Sequence, residues 1–408
     1  MIKHMLNKIK QMNIKQLQFS GLEFLFWATC SAYYSFNIVY LNEKGFSTTA
    51  IGTIIAISSL IVIFAQPFWG MISDRLNSAK KVFVFCMAIA ALLLLVVPFI
   101  KWIIIIGVLL SLITFFESSL VPLLDSWVII GIRNERDVAY GSIRLWGSIG
   151  FAAMAFIMGK IIDITSTSII YPVYGVMAVF TILLCSKIKV DKPVHAVSLR
   201  KLHMSHLLHN YSYVTYLIFA TFLFIPHRAS FIFLPMRFTS LGGSKEQLGL
   251  ALSIMAIAEV PIFLMSKRIF KYIKPLQLIL ISSAFFILRQ VFFALATEPI
   301  HLILNQAIQG LGYGMFLMGS VHYIDSLAPE SLKSTAQSLA TAIFFGVSGI
   351  IGSFGGGWFI DNIGMMPMYH LGIAISAGIS ILFLLSILYG NKLKHKQSLL
   401  KTVVEAQP

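Results

Sequence analysis

Charged side chains stand inside long apolar segments of this 408-residue chain. In such surroundings a carboxylate can take up and release a proton, and a guanidinium group can hold a carboxylate or a polyol through paired hydrogen bonds. Each charge costs about 2.5–3.5 kcal/mol at the centre of a bilayer unless it is paired or faces water. Because both halves of the chain contribute, we interpret the set as the lining of a polar cavity, in preference to isolated ion pairs such as Arg228 with Glu259. The set comprises Glu23, Glu117, Arg228, Glu259 and Arg289, with Asp125 and Arg144 near the ends of their segments.

Polar and aromatic residues recur at helical spacing on two of these segments. At separations of three or four residues, such side chains share one face of a helix. A stripe of this kind suits a ring-shaped polar solute, and we predict that Trp27, Tyr34, Gln306 and Gln309 contact it. The stripe comprises Glu23, Trp27, Ser31 and Tyr34 on the first segment and Asn305, Gln306 and Gln309 on a later one.

No pattern in the sequence indicates an enzyme. The chain shows no nucleophile with a neighbouring base, no metal-ligand spacing and no phosphate-binding loop. We therefore predict neither a catalytic residue nor a metal site nor a cofactor. A membrane enzyme or a sensor that does not transport is the least favoured interpretation.

The elements that position these residues are apolar runs about 20 residues long, the length of a helix that spans a bilayer. Hydrophobic residues make up 58% of the chain and charged residues only 12%. We predict an all-α membrane protein with twelve transmembrane helices. The runs lie near residues 18–40, 49–72, 82–100, 103–128, 142–163, 169–186, 212–236, 246–266, 276–296, 299–326, 335–360 and 366–390.

The distribution of the basic residues predicts the orientation in the membrane. If the N-terminus starts inside, 24 of the 31 Lys and Arg lie at the inner face, five at the outer face and two within spans. Cytoplasmic loops carry such an excess of basic residues, so both termini are predicted to be cytoplasmic in a multi-pass protein of the cell membrane. The basic residues that give the net charge of +15 then face anionic lipids. The charge therefore does not indicate nucleic-acid binding.

An internal duplication divides the chain. The segment 45–52 reappears as 242–249, and Gly159-Lys-Ile-Ile-Asp163 reappears as Gly357-Trp-Phe-Ile-Asp361. Duplicated halves are the build of secondary transporters, which rock about a site between them. The predicted parts are an N-terminal tail 1–17, a first six-helix half 18–186, a linker 187–211, a second half 212–390 and a tail 391–408.

The loop between the second and third segments carries a charged motif. Its residues Gly70, Asp74, Arg75 and Lys80 match the spacing G-x-x-x-D-R-x-x-x-x-[KR], which resembles the loop signature of the major facilitator superfamily. Gly allows close helix approach, Asp can bind a helix N-terminus, and the basic residues can pair with acids across the two halves. We predict a latch that holds the outward-facing state and breaks when the inner face opens.

The first half resembles the lactose-permease group of proton symporters. The segments Phe64–Arg75 and Tyr140–Phe151 look like the end of helix 2 and the start of helix 5 in that group. The resemblance implies that Arg144 binds the substrate and pairs with Asp125, and that Phe151 stacks on a sugar ring. Arg289 falls where the group carries its helix 9 arginine.

The second half departs from that pattern. Helix 10 of the lactose type carries a Lys, a His and a Glu, whereas this chain has Gln306, Gln309 and Gly312 at those positions. The sequence Glu259-Val-Pro is closer to the phenylpropionate-permease branch of the superfamily. We therefore predict Glu259 as the proton-coupling acid, with Glu117 as its competitor. The other residues predicted for coupling are Glu23, Arg228 and Arg289.

The resemblance implies a monomeric proton symporter that imports a small polar organic solute, such as a sugar or nucleoside, by alternating access. An aromatic carboxylate permease is the first alternative. A drug/proton exporter is the second, although segment 5 has no proline and exporters of the superfamily typically carry Gly-Pro there. The substrate, the protons and the lipid bilayer are the predicted partners.

Overall fold

The structure is a computed structural model that describes residues 14–133, 135, 140–188, 207, 209–329 and 332–405. The described residues form helices and no strands. Twelve long helices follow one another, as the sequence predicts. They are α1 Ile14–Tyr34, α2 Thr48–Arg75, α3 Ala79–Val96, α4 Ile103–Glu117 with Leu120–Ile132, α5 Tyr140–Ile164, α6 Ile170–Lys187, α7 Tyr211–Ile232, α8 Lys245–Leu264, α9 Pro275–Leu295, α10 Pro299–Leu327, α11 Lys333–Ile350 with a π-helical turn Ile351–Gly355 and Gly356–Asn362, and α12 Met365–Glu405.

Ten of these helices, within the described residues, are long and apolar enough to cross a membrane. The other two, α1 and α10, are the helices that carry the polar stripes predicted from the sequence. The last helix continues to Glu405, past the end of the apolar run at residue 390. The predicted linker 187–211 lies largely outside the described residues.

The duplicated segments build the starts of α2 and α8 in the same way. Gly45 and Gly242 adopt positive φ angles of 86° and 74°, which glycine tolerates because it has no Cβ. Two residues further on, the hydroxyls of Ser47 and Ser244 cap the helices by accepting hydrogen bonds from backbone N–H groups of the first turn. Equivalent sequence thus gives equivalent helix starts in both halves.

The predicted halves meet along two helix pairs. The α2 helix packs against α11, and α5 packs against α8. Within the first half α1 packs against α5 and α6, and within the second half α9 packs against α10 and α12. The polar helices α1 and α10 are therefore both surrounded by other helices, which places their polar stripes inside the bundle.

Candidate functional site

A cluster in the first half forms around Gly147 of α5. A Cβ atom at this position would lie 2.5 Å from Cδ1 of Trp27, 2.7 Å from Nη1 of Arg144 and 3.0 Å from Oε2 of Glu23. The Arg144 guanidinium lies 4.3 Å from the centre of the Trp27 ring, in cation–π contact. The cluster therefore depends on the absence of a side chain at Gly147, a requirement that the sequence alone did not reveal.

Three carboxylates share the charge of Arg144. Glu23 is fully buried, and neither of its carboxylate oxygens has a hydrogen-bond partner among the described residues. Asp125 accepts a hydrogen bond of 2.7 Å from the hydroxyl of Tyr140 and forms no ion pair with Arg144 among the described residues. Both acids, and Glu259 from the other half, nevertheless lie within electrostatic range of the guanidinium. The structure thus places three carboxylates within electrostatic range of Arg144 and hydrogen-bonds one of them, Asp125, to Tyr140.

Glu259 of α8 faces the first half. Its carboxylate lies within range of Arg144 and of Tyr313 on α10. Among the described residues it forms no ion pair with Arg228, so the alternative in which these two join α7 to α8 receives no support. Glu259 and Arg144 therefore connect the halves electrostatically.

A second polar cluster is buried in the second half. Arg289 of α9 is only 1% exposed, and its Nη1 lies 3.4 Å from Nδ1 of His227. Its guanidinium contacts the ring of Phe293 at 4.7 Å, and its backbone carbonyl accepts a hydrogen bond of 3.1 Å from the Asn305 amide. The rings of His227 and Tyr313 are stacked, with their centroids 5.8 Å apart and their planes at 9°. Sequence reasoning missed His227, although it is adjacent to Arg228, which was singled out.

The two glutamines predicted on α10 are buried. Gln306 donates to the backbone carbonyl of Leu302 at 3.3 Å, and its amide oxygen has no hydrogen-bond partner in the regions that the structure describes. Gln309 is 5% exposed. Neither side chain lines the cavity that lies between the two halves, so their predicted contact with substrate stays a prediction.

A cavity of about 460 Å³ lies between the halves. Its walls come from α1, α2, α4 and α5 on one side and from α7 and α8 on the other. Of the residues predicted to bind substrate or couple protons, Tyr34, Phe151 and Arg228 line it, and Arg228 is the one charged side chain among its lining residues. Phe151 also contacts the Trp27 ring at 6.5 Å between centroids. Phe151 thereby joins the cavity to the cluster around Gly147.

Two aspartates hold the halves together at the predicted outer face. The carboxylate of Asp163, at the end of α5, accepts hydrogen bonds from the backbone N–H groups of Lys245 and Glu246 at 3.1 and 2.8 Å. Asp361, at the end of α11, does the same for Thr48 and Thr49 at 3.2 and 2.7 Å. Each aspartate therefore caps the first turn of a helix in the opposite half, where unpaired N–H groups favour a negative charge.

Glycines let the capped helices approach closely. A Cβ at Gly159 would lie 2.5 Å from the carbonyl oxygen of Lys245, and one at Gly357 would overlap the carbonyl oxygen of Thr48. An ion pair of 3.3 Å between Lys160 and Glu246 also crosses the halves at this face. We name these contacts, with the two aspartate caps, the outer seal.

The residues of the predicted latch lie at the face opposite the outer seal. Gly70 has open space where a Cβ would lie, and Asp74 and Arg75 are exposed and form no ion pair among the described residues. Lys80 donates to the backbone carbonyl of Ile188 at 2.9 Å within the first half. The structure therefore combines a closed outer seal with a latch that makes no bond across the halves within the part of the chain that the structure describes.

Comparisons with known proteins agree with this architecture. The sequence pattern of the MFS_1 like family matches residues 16–371. The chain belongs to the MFS_1 like family. Membership confirms the prediction of a major facilitator permease, a multi-pass transporter of small solutes and not an enzyme.

Three relatives of this family member are transporters. The chain is 25% identical over 379 residues to YwbF, an uncharacterized transporter of Bacillus subtilis (strain 168), with 91% of this chain and 93% of the relative covered. It is 25% identical over 366 residues to a maltose permease of Geobacillus stearothermophilus, covering 89% and 92%. It is 29% identical over 157 residues to a sucrose permease of Escherichia coli, covering 36% and 37%.

A solved structure shows the same fold. The nucleoside transporter NupG superposes with a TM-score of 0.80 at 16% sequence identity, covering 92% of this chain and 99% of that chain. The similarity confirms the twelve-helix major facilitator fold.

Proposed function

We propose that this transporter imports a sugar together with protons by alternating access. The observation that carries the proposal is the cluster around Gly147, in which an indole ring, a guanidinium group and a buried carboxylate converge. An aromatic face packs against the C–H surface of a sugar ring, while a forked guanidinium and a carboxylate bond its hydroxyls. The maltose and sucrose permeases among the relatives support the same solute class.

Coupling to protons would use the electrostatic attraction between Arg144 and a nearby carboxylate, Glu259. When Glu259 is ionised, it attracts Arg144 across the seam and favours the arrangement seen here. Protonation of Glu259 removes that attraction and leaves the guanidinium available to the solute. Proton and solute would then bias one two-state equilibrium, which is the thermodynamic requirement for symport.

Purified protein in liposomes tests this function. We expect an imposed inward proton gradient to drive accumulation of maltose or sucrose. Glu259→Gln, which mimics the protonated acid, should abolish gradient-driven accumulation and retain exchange of labelled solute across the membrane. Asp325→Asn is the control, because Asp325 pairs with Lys333 within the second half at 3.0 Å. Accumulation by Glu259→Gln at the wild-type level would contradict the assigned role of Glu259.

An aromatic carboxylate is the second candidate solute. Arg228 is the charged residue among those described in the lining of the central cavity, and Nε and Nη2 of the buried Arg289 have no hydrogen-bond partner among the described residues. These cations would suit an anionic group beside an aromatic body. Uptake of phenylpropionate without uptake of either sugar, in the same liposomes, would favour this alternative, and uptake of a nucleoside alone would exclude both.

A further inference from the structure

A second buried acid, Glu117, lies apart from the Arg144 cluster. It sits near the middle of the segment Ile103–Ile132 and is 5% exposed. Its Oε2 accepts a hydrogen bond of 3.1 Å from the hydroxyl of Tyr34, and its Oε1 has no hydrogen-bond partner in the described part of the chain. Nothing in the proposed sugar site uses this carboxyl group.

No cation faces Glu117 among the described residues. The titratable groups near it are Cys30, Tyr33 and Tyr34 of α1 and Tyr174 of α6, all of which are neutral when protonated. It takes part in none of the ion pairs of the described residues. A buried carboxylate without a positive partner is costly, and protonation removes that cost. Glu117 differs in this respect from Glu259, which faces Arg144.

One side chain in the wall of the central cavity, that of Tyr34, lies between Glu117 and the cavity. Tyr34 lines the cavity and is 49% exposed. Thr114 and Ser118, which flank Glu117 on α4, also line it. The carboxyl group itself lies behind this wall, where it accepts the hydrogen bond from Tyr34 and where the Tyr174 hydroxyl lies close to it.

We propose that Glu117 is a second proton-binding site and that Tyr34 connects it to the cavity. The Tyr34 hydroxyl passes its proton to Oε2 of Glu117 while its oxygen takes a proton from a hydrated proton in the cavity. One O–H bond breaks and one forms at Tyr34, and the net change is one proton moved from the cavity to the carboxylate. The reverse steps release it.

The same hydrogen bond links proton binding to cavity occupancy. A solute hydroxyl that bonds the Tyr34 oxygen or takes its proton changes the partner available to Glu117. Binding of solute and of proton would then alter each other's affinity reciprocally. This consequence rests on the proposed function, because it requires a solute in the cavity, whereas proton binding by Glu117 does not.

Infrared difference spectra of the purified protein in liposomes, recorded without substrate across a range of pH, test the site. A protonated buried carboxylic acid gives its own carbonyl stretching band. Glu117→Gln should remove one component of the band that changes with pH. Tyr34→Phe should shift the frequency of that component, because it removes the hydrogen bond between the carboxyl group and the Tyr34 hydroxyl. Tyr33→Phe is the matched control, since Tyr33 lines the same cavity without bonding Glu117, and it should leave the frequency unchanged.

Each outcome decides the proposal. An unchanged band in Glu117→Gln overturns the proton site, and equal frequencies in Tyr34→Phe and Tyr33→Phe overturn the role of Tyr34. Loss of the component in Glu117→Gln together with absent sugar uptake by wild-type liposomes would support the site and refute the sugar proposal alone. The spectra and the uptake assay therefore fail independently.

Discussion

Replacing Asp361 with asparagine tests whether the outer seal sets the balance between conformations. Its carboxylate accepts four hydrogen bonds, from the backbone N–H and the hydroxyl of both Thr48 and Thr49, at 2.5–3.2 Å. Asparagine keeps one acceptor oxygen but turns an NH₂ group toward donors at the second position. Because the donors belong to the opposite half, the change weakens a contact that exists only while this face is closed.

The magnitude follows from the hydrogen bonds that are lost or weakened. Bonds to a charged acceptor contribute about 1.5–3 kcal/mol and neutral ones about 0.5–1.5 kcal/mol, a difference of about 1 kcal/mol for each bond. Asp361 is exposed, and water compensates part of the loss, so we expect a net change of roughly 1–3 kcal/mol. The ratio of outward-open to closed molecules should rise about 5- to 150-fold. Asp163→Asn should have a smaller effect, because that carboxylate bonds two N–H groups and no hydroxyl.

Distances between spin labels at the predicted outer face measure this ratio. Labels on cysteines at Ser166 and Thr297 would report the separation of the halves, and the three native cysteines are buried away from the reagent. Asp361→Asn should add a population at longer distance. Asp325→Asn, which changes an acid within one half, should not. If Asp361→Asn gives the wild-type distance distribution, the aspartate caps do not hold the closed state.

Three further predictions concern the latch, the solute site and the orientation. Asp74→Asn should shift the population toward the inward-open state, lowering transport while equilibrium binding of solute survives; transport at the wild-type rate would remove the latch from the mechanism. Arg144→Lys keeps the charge but loses the planar fork, so solute binding measured by calorimetry should weaken at least tenfold, about 1.4 kcal/mol; unchanged affinity would make Arg144 an orientation signal only. In intact cells an impermeant thiol reagent should label a cysteine at Ser244 and spare one at Ser198, and the opposite pattern would invert the predicted topology.

The number and order of helices could be predicted from the sequence because bilayer thickness fixes the length of an apolar run. The positions of the helix ends were harder to predict from the sequence. The last apolar span was predicted to end at residue 390 and ends at Gly390, but the helix α12 itself continues to Glu405, since a basic polar helix can follow where the apolar run ends. The duplication of Gly159–Asp163 as Gly357–Asp361 indicated two halves but not that each aspartate bonds the other half.

The structure brings the predicted residues Glu23, Trp27 and Arg144 together, and their roles in binding stay predictions, but the pairing of the charged groups differs from the prediction. Asp125 and Arg144 were expected to pair, and the structure gives Asp125 the Tyr140 hydroxyl instead. Which partner a charged side chain meets depends on helix rotation and on close approach at residues such as Gly147, which spacing along one helix does not encode. Charges inside apolar runs were visible because they are rare there, whereas neutral partners such as Tyr140 gave no comparable signal.

The polarity of α1 and α10 also bears on biogenesis. A translocon sorts each emerging segment by its apolarity, and these two helices are not among the ten that qualify by composition. During synthesis α1 emerges before α5 and α6, the helices against which it packs. We therefore expect retention of α1 in the bilayer to depend on segments synthesised after it, α5 and α6 among them. We expect the side chains that would recognise the solute to make membrane insertion of the first helix cooperative.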